Sequence, residues 1–259
     1  MLPTLDAELP LWSGAASRLR AELGVRVVID RPETIALARD KRRSTAIVAA
    51  AGVAIPACYE EDALARAPLP LVVKPTVGAG SVGVSFVRAR EALPAALAAA
   101  GPAPFVQELV DGVEHTVDLV IDGDGNILAA APRVRLEVRG GQSYKGRTVD
   151  APLIEDAARR AATALGLRAQ ANVQLLATAD GRAVFVEANP KFAAAMGLTV
   201  GAGLDVPLLY VQLALGIAVR PEQLVRRADV WMLRAWEERY VDAATLDGVR
   251  AWDTADDEG

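Results

Sequence analysis

A lysine stands where an apolar run meets a glycine-rich stretch, and this pairing could hold phosphate. Residues 71–87 read LVVKPTVGAGSVGVSFV, and Lys74 closes the first apolar run. Gly78, Gly80 and Gly83 leave backbone N–H groups free to approach an anion, and the lysine adds a compact positive charge. The stretch therefore predicts an anion-binding loop between two strands.

The same glycines also fit the G-x-G-x-x-G pattern of a dinucleotide-binding turn. That turn requires a helix directly after the loop and an acidic residue about 20 positions further on. Here residues 84–87 read as a strand, and residues 98–103 contain no acid. We therefore interpret the loop as the tip of a β-hairpin that covers a nucleotide, not as a strand-to-helix turn beneath one.

A second candidate site is predicted by hairpin geometry around Asp180-Gly181. Asp-Gly is a strong two-residue turn, and side chains alternate along the strands that it joins. In this register one face carries two polar pairs, Gln174 opposite Glu187 and Asn172 opposite Asn189. The other face carries apolar residues, namely Val173, Leu175, Val184 and Val186.

Amides and a carboxylate on one strand face are costly to bury unless they are solvated, paired or bound to an ion. Oxygen ligands of this kind suit Mg²⁺, which takes one or two protein ligands and completes its shell with phosphate and water. The alternative is a sheet face that is open to solvent, as antiparallel sheets often have. Together, the lysine–glycine loop and the oxygen-rich patch predict a site for Mg²⁺ and ATP.

The composition limits the kinds of protein that this chain can be. Its 259 residues are 52% hydrophobic with a net charge of −5, which suits one large or two small globular domains. An acidic chain is not expected to bind nucleic acid, and no apolar run approaches the roughly 18 residues of a membrane span. The single cysteine, Cys58, and an N-terminus without a signal-peptide pattern predict a cytoplasmic protein.

Periodicity and turn residues predict a mixed α/β chain. Helices are predicted at residues 11–23, 32–39, 41–52, 91–100, 152–165 and 205–215. Strands are predicted at residues 25–29, 71–74, 84–87, 105–110, 113–121, 127–138, 171–177, 184–189 and 230–235. Residues 140–147 are predicted to form a polar, basic loop, and residues 253–259 an acidic tail.

The ordered motifs of this chain resemble those of the ATP-grasp superfamily, especially the branch similar to the large subunit of carbamoyl phosphate synthase. The resemblance extends over residues 40–216 and includes, in order, Asp40-Lys41, LVVKPTVGAGSVGV, FVQELVDGVEHTVDLV, NVQL and VEANPK. Each piece is weak alone, but the ordered set is specific. The resemblance implies an α+β fold in which two lobes of antiparallel sheet plus helices clamp ATP between them.

The resemblance implies roles in nucleotide binding for the matching residues. Lys41 and Lys74 would hold the ATP phosphates under the glycine-rich loop, whose members are Gly78, Ala79, Gly80, Ser81 and Gly83. The connector between the lobes would bind the adenine edge through its backbone, at Glu108, Leu109 and Val110. Glu114 would accept hydrogen bonds from the ribose hydroxyls.

The resemblance also implies a metal site and a catalytic lysine. Gln174, Glu187 and Asn189 match ligands of two Mg²⁺ ions, for which Mn²⁺ could substitute, with Glu187 between the ions. Lys74 and Lys191 match residues that act on the transferring phosphoryl group. Most relatives carry arginine at the position of Lys191, and lysine keeps the charge but loses the bidentate fork. The following residues 192–195, Phe-Ala-Ala-Ala, replace a stretch that is often glycine-rich.

Four segments are expected from the resemblance. Residues 1–39 match the end of an N-terminal α/β domain, 40–107 a small lobe with the glycine-rich lid, 108–225 a large lobe with the metal site, and 226–259 a C-terminal strand and acidic tail. The short front segment is expected either to be a natural or fragmentary truncation or to be completed by a partner chain. An exposed edge there could favour a homo-oligomer.

The basic stretch is the candidate for substrate binding, because arginine forks suit carboxylate or phosphate. Its candidates are Arg133, Arg135 and Lys145, and Arg234 on the late strand could reach the same cleft. The alternative for this stretch is an edge strand whose charges prevent aggregation.

The activity implied by the resemblance is ATP-dependent activation of a small carboxylate as an acyl phosphate, followed by attack of an amine or another nucleophile. Two alternatives stay open. One is a noncatalytic ATP-binding module, which Lys191 and the alanines after it favour. The other is a small-molecule kinase on the same fold, which would release its phosphorylated product.

Overall fold

The computed structural model describes residues 1–235, 237, 238 and 240, so the predicted acidic tail lies outside the described residues. Two antiparallel sheets with helices packed against them form the fold, which confirms the predicted α+β class. No helix within the described part of the chain is both long and apolar enough to cross a bilayer.

Seven α-helices are found in the described residues, along with short 3₁₀ turns. The helices are α1 Leu9–Leu23, α2 Pro32–Arg39, α3 Lys41–Ala50, α4 Leu93–Ala99, α5 Pro152–Ala164, α6 Gly197–Gly201 and α7 Val206–Leu215. The strands are β1 Cys58–Tyr59, β2 Leu71–Pro75, β3 Ser85–Val87, β4 Pro104–Glu108, β5 Val113–Ile121, β6 Ile127–Arg139, β7 Gln142–Thr148, β8 Ala171–Ala177, β9 Ala183–Asn189 and β10 Trp231–Leu233.

The small sheet has four strands in the order β1-β4-β2-β3. Leu71 pairs with Val87, which confirms that the glycine-rich stretch is the tip of a hairpin. Leu71, Val73 and Val106 are buried under α4, and this apolar layer fixes the strand that ends in Lys74. Because successive side chains of a strand point to opposite faces, Lys74 lies on the face opposite to Leu71 and Val73.

The large sheet has six strands in the order β10-β7-β6-β5-β8-β9. Helix α5 packs against it through small side chains, since Ala158, Ala161 and Ala162 are fully buried. Val48 of α3 is buried in the same core. The four-segment division remains a proposal, and α3, which that division assigns to the small lobe, packs on the large sheet.

The basic stretch at residues 140–147 is not a loop. Gly140 and Gly141 have φ values of 53° and 75° and form the turn of a hairpin, and β7 begins directly after them. The prediction was wrong because the inward positions of β7 are small or polar: Ser143, Gly146 and Thr148 are buried, and none gives an apolar signal.

The predicted strand at residues 25–29 is also absent. In the described part of the chain this segment pairs with neither sheet; instead the Val28 N–H donates to the Met1 carbonyl at 2.9 Å. Val28 packs against a second apolar cluster on the large sheet, which includes Val120 of β5 and Leu209 and Tyr210 of α7. Burial without strand pairing produced the same apolar pattern that a strand would.

Candidate functional site

A cavity of about 690 Å³ lies between the two sheets. All of the predicted site residues line it except Gly83, Lys145 and Arg234. The small sheet and its glycine-rich hairpin contribute one wall, and strands β5, β6, β8 and β9 of the large sheet contribute the other. Residues predicted from separate motifs therefore meet in one cleft.

Lys74 is the more buried of the two predicted phosphate-binding lysines. It is 6% exposed, and its ammonium lies 5.6 Å from the centre of the Phe105 ring. Burial lowers its pKa from 10.5 to about 8, against the opposing attraction of Glu187. A cation in this setting lacks much of its hydration and is available to an anion that enters the cleft.

Lys41 reaches the same place from the start of α3. The Asp40 carboxylate caps this helix by accepting from the Arg43 N–H at 2.9 Å. The Lys41 ammonium donates to the Gly78 carbonyl at 2.7 Å and lies 3.9 Å from the Glu187 carboxylate. This lysine thus connects the glycine-rich loop to the oxygen-rich patch.

Gly83 closes the hairpin and does not line the cavity. Its φ is +73°, and a Cβ there would lie 2.9 Å from Pro75 Cγ and 3.0 Å from the Ala99 carbonyl oxygen. The residue is therefore required for the return of the chain toward β3, while Gly78, Ala79, Gly80 and Ser81 face the cleft.

The connector between the sheets follows β4. The Leu109 N–H donates to the Pro70 carbonyl at 3.0 Å, and the Ala57 N–H donates to the Glu108 carboxylate at 3.3 Å. Within the described residues, the Val110 N–H has no hydrogen-bond acceptor. The connector is thus held at its first two residues and leaves a donor free at its third.

Gln107 was missed by the sequence analysis. It lines the cavity at 1% exposure, its amide donates to the Cys58 sulfur at 3.4 Å, and its side-chain oxygen has no partner in the described structure. Burying a hydrogen-bond acceptor without a partner costs free energy, so this position favours a ligand that donates a hydrogen bond to it. The available signal was an amide in an apolar strand, directly before the connector.

Glu114 and Arg135 are paired with each other. One nitrogen of the Arg135 guanidinium forms an ion pair with the Glu114 carboxylate, and the others donate to Ser143 Oγ at 3.1 Å and to the Gly141 carbonyl at 2.8 Å. Arg135 was expected to bind substrate, but its donors are engaged by this network. It holds the predicted ribose-binding acid against the tip of the β6–β7 hairpin.

The other predicted substrate residues also have partners within the protein. Arg133 is 2% exposed and pairs with Asp118 at 3.0 Å. Lys145 lies outside the cavity in an ion pair with Glu137 at 2.8 Å, because β7 turns its side chain toward solvent. Arg234 donates to the Ala194 carbonyl and does not itself line the cleft.

The oxygen-rich patch has the predicted pairing, with Gln174 opposite Glu187 and Asn172 opposite Asn189. The Asn189 amide donates to the Glu187 carboxylate at 3.1 Å and lies 3.4 Å from the Asn172 oxygen. Clusters of three or more His, Cys, Asp or Glu that could hold a metal are absent from the described residues. One carboxylate with neighbouring amide oxygens suits Mg²⁺, which needs few protein ligands when phosphate and water complete its shell.

The turn of this hairpin differs from the predicted two-residue turn. Gly181 donates to Thr178 and has φ +81°, so the loop contains three residues, 179–181. A bulge at Val186 then restores the predicted register at Gln174 and Glu187. The bulge also turns Val186 toward the cleft and Phe185 into the core, so Val186 is not on the predicted apolar face.

Lys191 lies at the end of the cleft, just after β9. Its carbonyl accepts from the Asn172 amide at 3.0 Å, and its ammonium pairs with Asp6 at 2.9 Å. Asp6 was not predicted as a site residue, because no local pattern relates an N-terminal acid to a lysine so far along the chain. Ala193, Ala194 and Ala195 line the same end of the cavity.

The cleft between the two antiparallel sheets brings together lysines, a glycine-rich loop and an oxygen-rich patch, which suits a nucleotide and its metal ion. A family model described as the ATP-grasp domain matches residues 38–195. This match includes more than half of the chain, and the chain therefore belongs to the ATP-grasp family.

The relatives are enzymes of several kinds. The chain is 31% identical over 180 residues to a D-alanine–D-alanine ligase from Chromohalobacter salexigens, a match that covers 60% of the chain and 55% of that ligase. A biotin carboxylase–β,γ-ATP complex from Campylobacter jejuni aligns with TM-score 0.73 and 17% identity, over 87% of this chain and 56% of that one. An L-amino acid ligase from Bacillus licheniformis aligns with TM-score 0.67 and 20% identity, over 86% and 58%. The chain thus spans somewhat more than half the length of each.

Proposed function

We infer that this protein is a Mg²⁺- and ATP-dependent ligase that activates a small carboxylate for attack by an amine or another nucleophile. The observation that carries the inference is the single cleft shared by Lys41, Lys74, the connector and the oxygen-rich patch. Charge neutralisation and alignment are what phosphoryl transfer demands of a protein, more than a nucleophilic side chain.

The small sheet, the connector and Lys41 would hold the base and the phosphates, and Glu114 of β5 would hold the ribose. The free Val110 N–H and the unpaired Gln107 oxygen offer one donor and one acceptor, which suits the ring nitrogen and the amino group of adenine. Lys74 would contact the phosphates with a poorly hydrated ammonium, and Lys41 would contact them from its position beside the Gly78 carbonyl. Glu114, fixed by Arg135, would accept from the ribose hydroxyls.

The large sheet would hold the metal. Glu187 supplies the carboxylate, Gln174 and Asn189 supply amide oxygens, and all three face the cavity. When bound, Mg²⁺ would neutralise phosphate charge between the two walls. We propose two ions, with Mn²⁺ able to replace them, on the same oxygen ligands.

The reacting carboxylate would lie beside Lys191, whose charge faces the cleft end. In the proposed step a carboxylate oxygen attacks the γ-phosphorus, the bond to the β-phosphate oxygen breaks, and ADP leaves. An amine or another nucleophile then displaces phosphate. The names of two relatives, a D-alanine–D-alanine ligase and an L-amino acid ligase, support amino acids as the first substrates to test.

The decisive assay measures ADP release from MgATP with pooled amino acids and small carboxylates, in the presence of hydroxylamine. We expect hydroxamate from one pool with the unaltered protein and none with Glu187→Gln, which keeps the size of the side chain and removes its charge. Phosphorylated product without hydroxamate would indicate a kinase instead. Nucleotide binding without ADP from any pool would indicate a binding module and contradict the proposal.

A further inference from the structure

The N-terminal segment reaches the end of the cleft at Lys191, where the reacting carboxylate is proposed to lie and which we call the acceptor end. Thr4, Leu5 and Asp6 line the cavity, although they lie far in sequence from the other residues that form it. The segment is fixed on both sides of the cleft residues: the Gln170 amide donates to the Pro3 carbonyl, and Leu9 is fully buried. Asp6 is thus held at this position by contacts that do not involve its own carboxylate.

The Asp6 carboxylate contacts the ammonium of Lys191 at 2.9 Å. The two side chains are 21% and 19% exposed, so the pair is partly shielded from water. The lysine backbone is also fixed, because its N–H donates to the Asn189 carbonyl at 2.8 Å and its carbonyl accepts from Asn172. These hydrogen bonds fix the main chain of Lys191, and Asp6 restrains the ammonium at the end of its side chain.

A lysine at this position needs such a restraint. Its ammonium is a point charge on a flexible four-carbon stem, whereas an arginine would present a planar fork whose geometry is built in. Holding a long side chain in one arrangement costs entropy, and a charged partner that is already fixed offsets part of that cost before any ligand binds.

We propose that Asp6 is a positioning residue that holds the ammonium of Lys191 at the acceptor end of the cleft. The inference rests on the proposed function, since it concerns the lysine assigned to the transferring phosphoryl group. Asp6 acts through Lys191 and need not touch the reacting atoms.

The first test needs no turnover. Asp6→Asn is compared with Glu8→Gln, which removes the same charge from the same 3₁₀ turn at an exposed position. Lysine labelling by an amine-reactive ester, quantified by mass spectrometry, is expected to rise about threefold at Lys191 in Asp6→Asn only, because the amine loses its partner. Exposed Lys145 is the internal reference. Equal labelling of Lys191 in both variants would overturn the inference.

The second test is a double-mutant cycle on substrate-dependent ADP release. We expect Asp6→Asn to lower kcat about fivefold with the KM for ATP nearly unchanged, and Asp6→Glu to recover part of the loss. In a Lys191→Gln background, Asp6→Asn should have no further effect, since both changes remove one interaction. An undiminished Asp6→Asn effect in that background would show that Asp6 acts independently of Lys191.

The two proposals fail in different ways. Absence of ADP release by the unaltered protein, despite MgATP binding measured by calorimetry, would contradict the ligase and with it the role of Asp6. Normal release by Asp6→Asn would contradict the positioning role alone. Thermal unfolding of each variant separates a loss of rate from a loss of folded protein.

Discussion

The charged form of Lys74 is unfavourable for folding, because the residue is buried, but favourable for binding an anion. Both effects change with pH. Its pKa is lowered from 10.5 to about 8 by burial, so the folded protein penalises the charged ammonium. The unfolded chain therefore binds more protons between about pH 8 and 10.5, and the free energy of unfolding contributed by this group rises across that window. Below pH 8 the lysine is charged, which weakens folding but favours an anionic ligand.

We therefore expect MgATP affinity to fall about tenfold between pH 7 and pH 9 as Lys74 loses its proton. Lys74→Arg keeps its charge over this range, so its affinity should change little. Calorimetric titrations at several pH values measure both proteins, and the comparison depends on the slope with pH, not on the absolute affinity. An unchanged slope in Lys74→Arg would assign the pH dependence to another group.

Individual residues were predictable where a local motif carried them. Lys74, Glu187 and Asn189 follow from strand ends and alternation, and the structure brings them to one cavity. Asp6 and the Arg135–Glu114 pair were not predictable, because their contacts join segments that no local pattern relates. The charge of Arg135 was visible in the sequence, but its partner was not.

At the scale of elements, the β8–β9 hairpin shows how a correct register can follow from an incorrect turn. The loop has three residues, not the two predicted, and this shifts the pairing near the turn by one position. The bulge at Val186 shifts it back, so Gln174 still faces Glu187. Bulges leave no composition signal of their own here, and their effect on which side chains face the cleft could not be read from the sequence.

In the hairpin of the small sheet, the chain needs Gly83 to turn back toward β3. Alanine there would combine a φ of +73° with a Cβ 2.9 Å from Pro75, so we expect Gly83→Ala to lower the free energy of unfolding by about 1–3 kcal/mol. Gly78→Ala is the matched control, because its Cβ would meet Pro75 at an ordinary 3.5 Å and its φ is not positive. Chemical denaturation of both variants measures the difference, and equal stability would contradict this role for Gly83.

At the scale of the whole molecule, the cleft is formed by contacts that cross between the sheets. Helix α3 packs on the large sheet, yet Lys41 at its start holds the Gly78 carbonyl of the small-sheet hairpin. The small sheet and the large sheet are thus connected at the candidate phosphate site. A ligand that binds at this contact would therefore touch both sheets.

We expect MgATP to slow amide hydrogen exchange in residues 76–84 and 140–142 together, because both hairpin tips border the same cavity. Helix α5, on the far side of the large sheet, should be unaffected and provides the internal reference. Exchange followed by mass spectrometry, with Glu187→Gln as the weakly binding variant, measures the effect. Protection confined to one tip would argue against a shared site.

The contact between the two hairpin tips has a consequence for how fast a nucleotide can leave. A methyl group at Gly141 would lie 3.4 Å from Gly80 Cα, so at these two glycines the tips approach each other through backbone atoms. In the described structure no hydrogen bond or ion pair joins residues 76–84 to residues 140–142, so parting the two tips breaks no polar contact between them. We expect the residence time of a bound nucleotide to be set by its own contacts with the cleft walls, and not by the contact between the two hairpin tips.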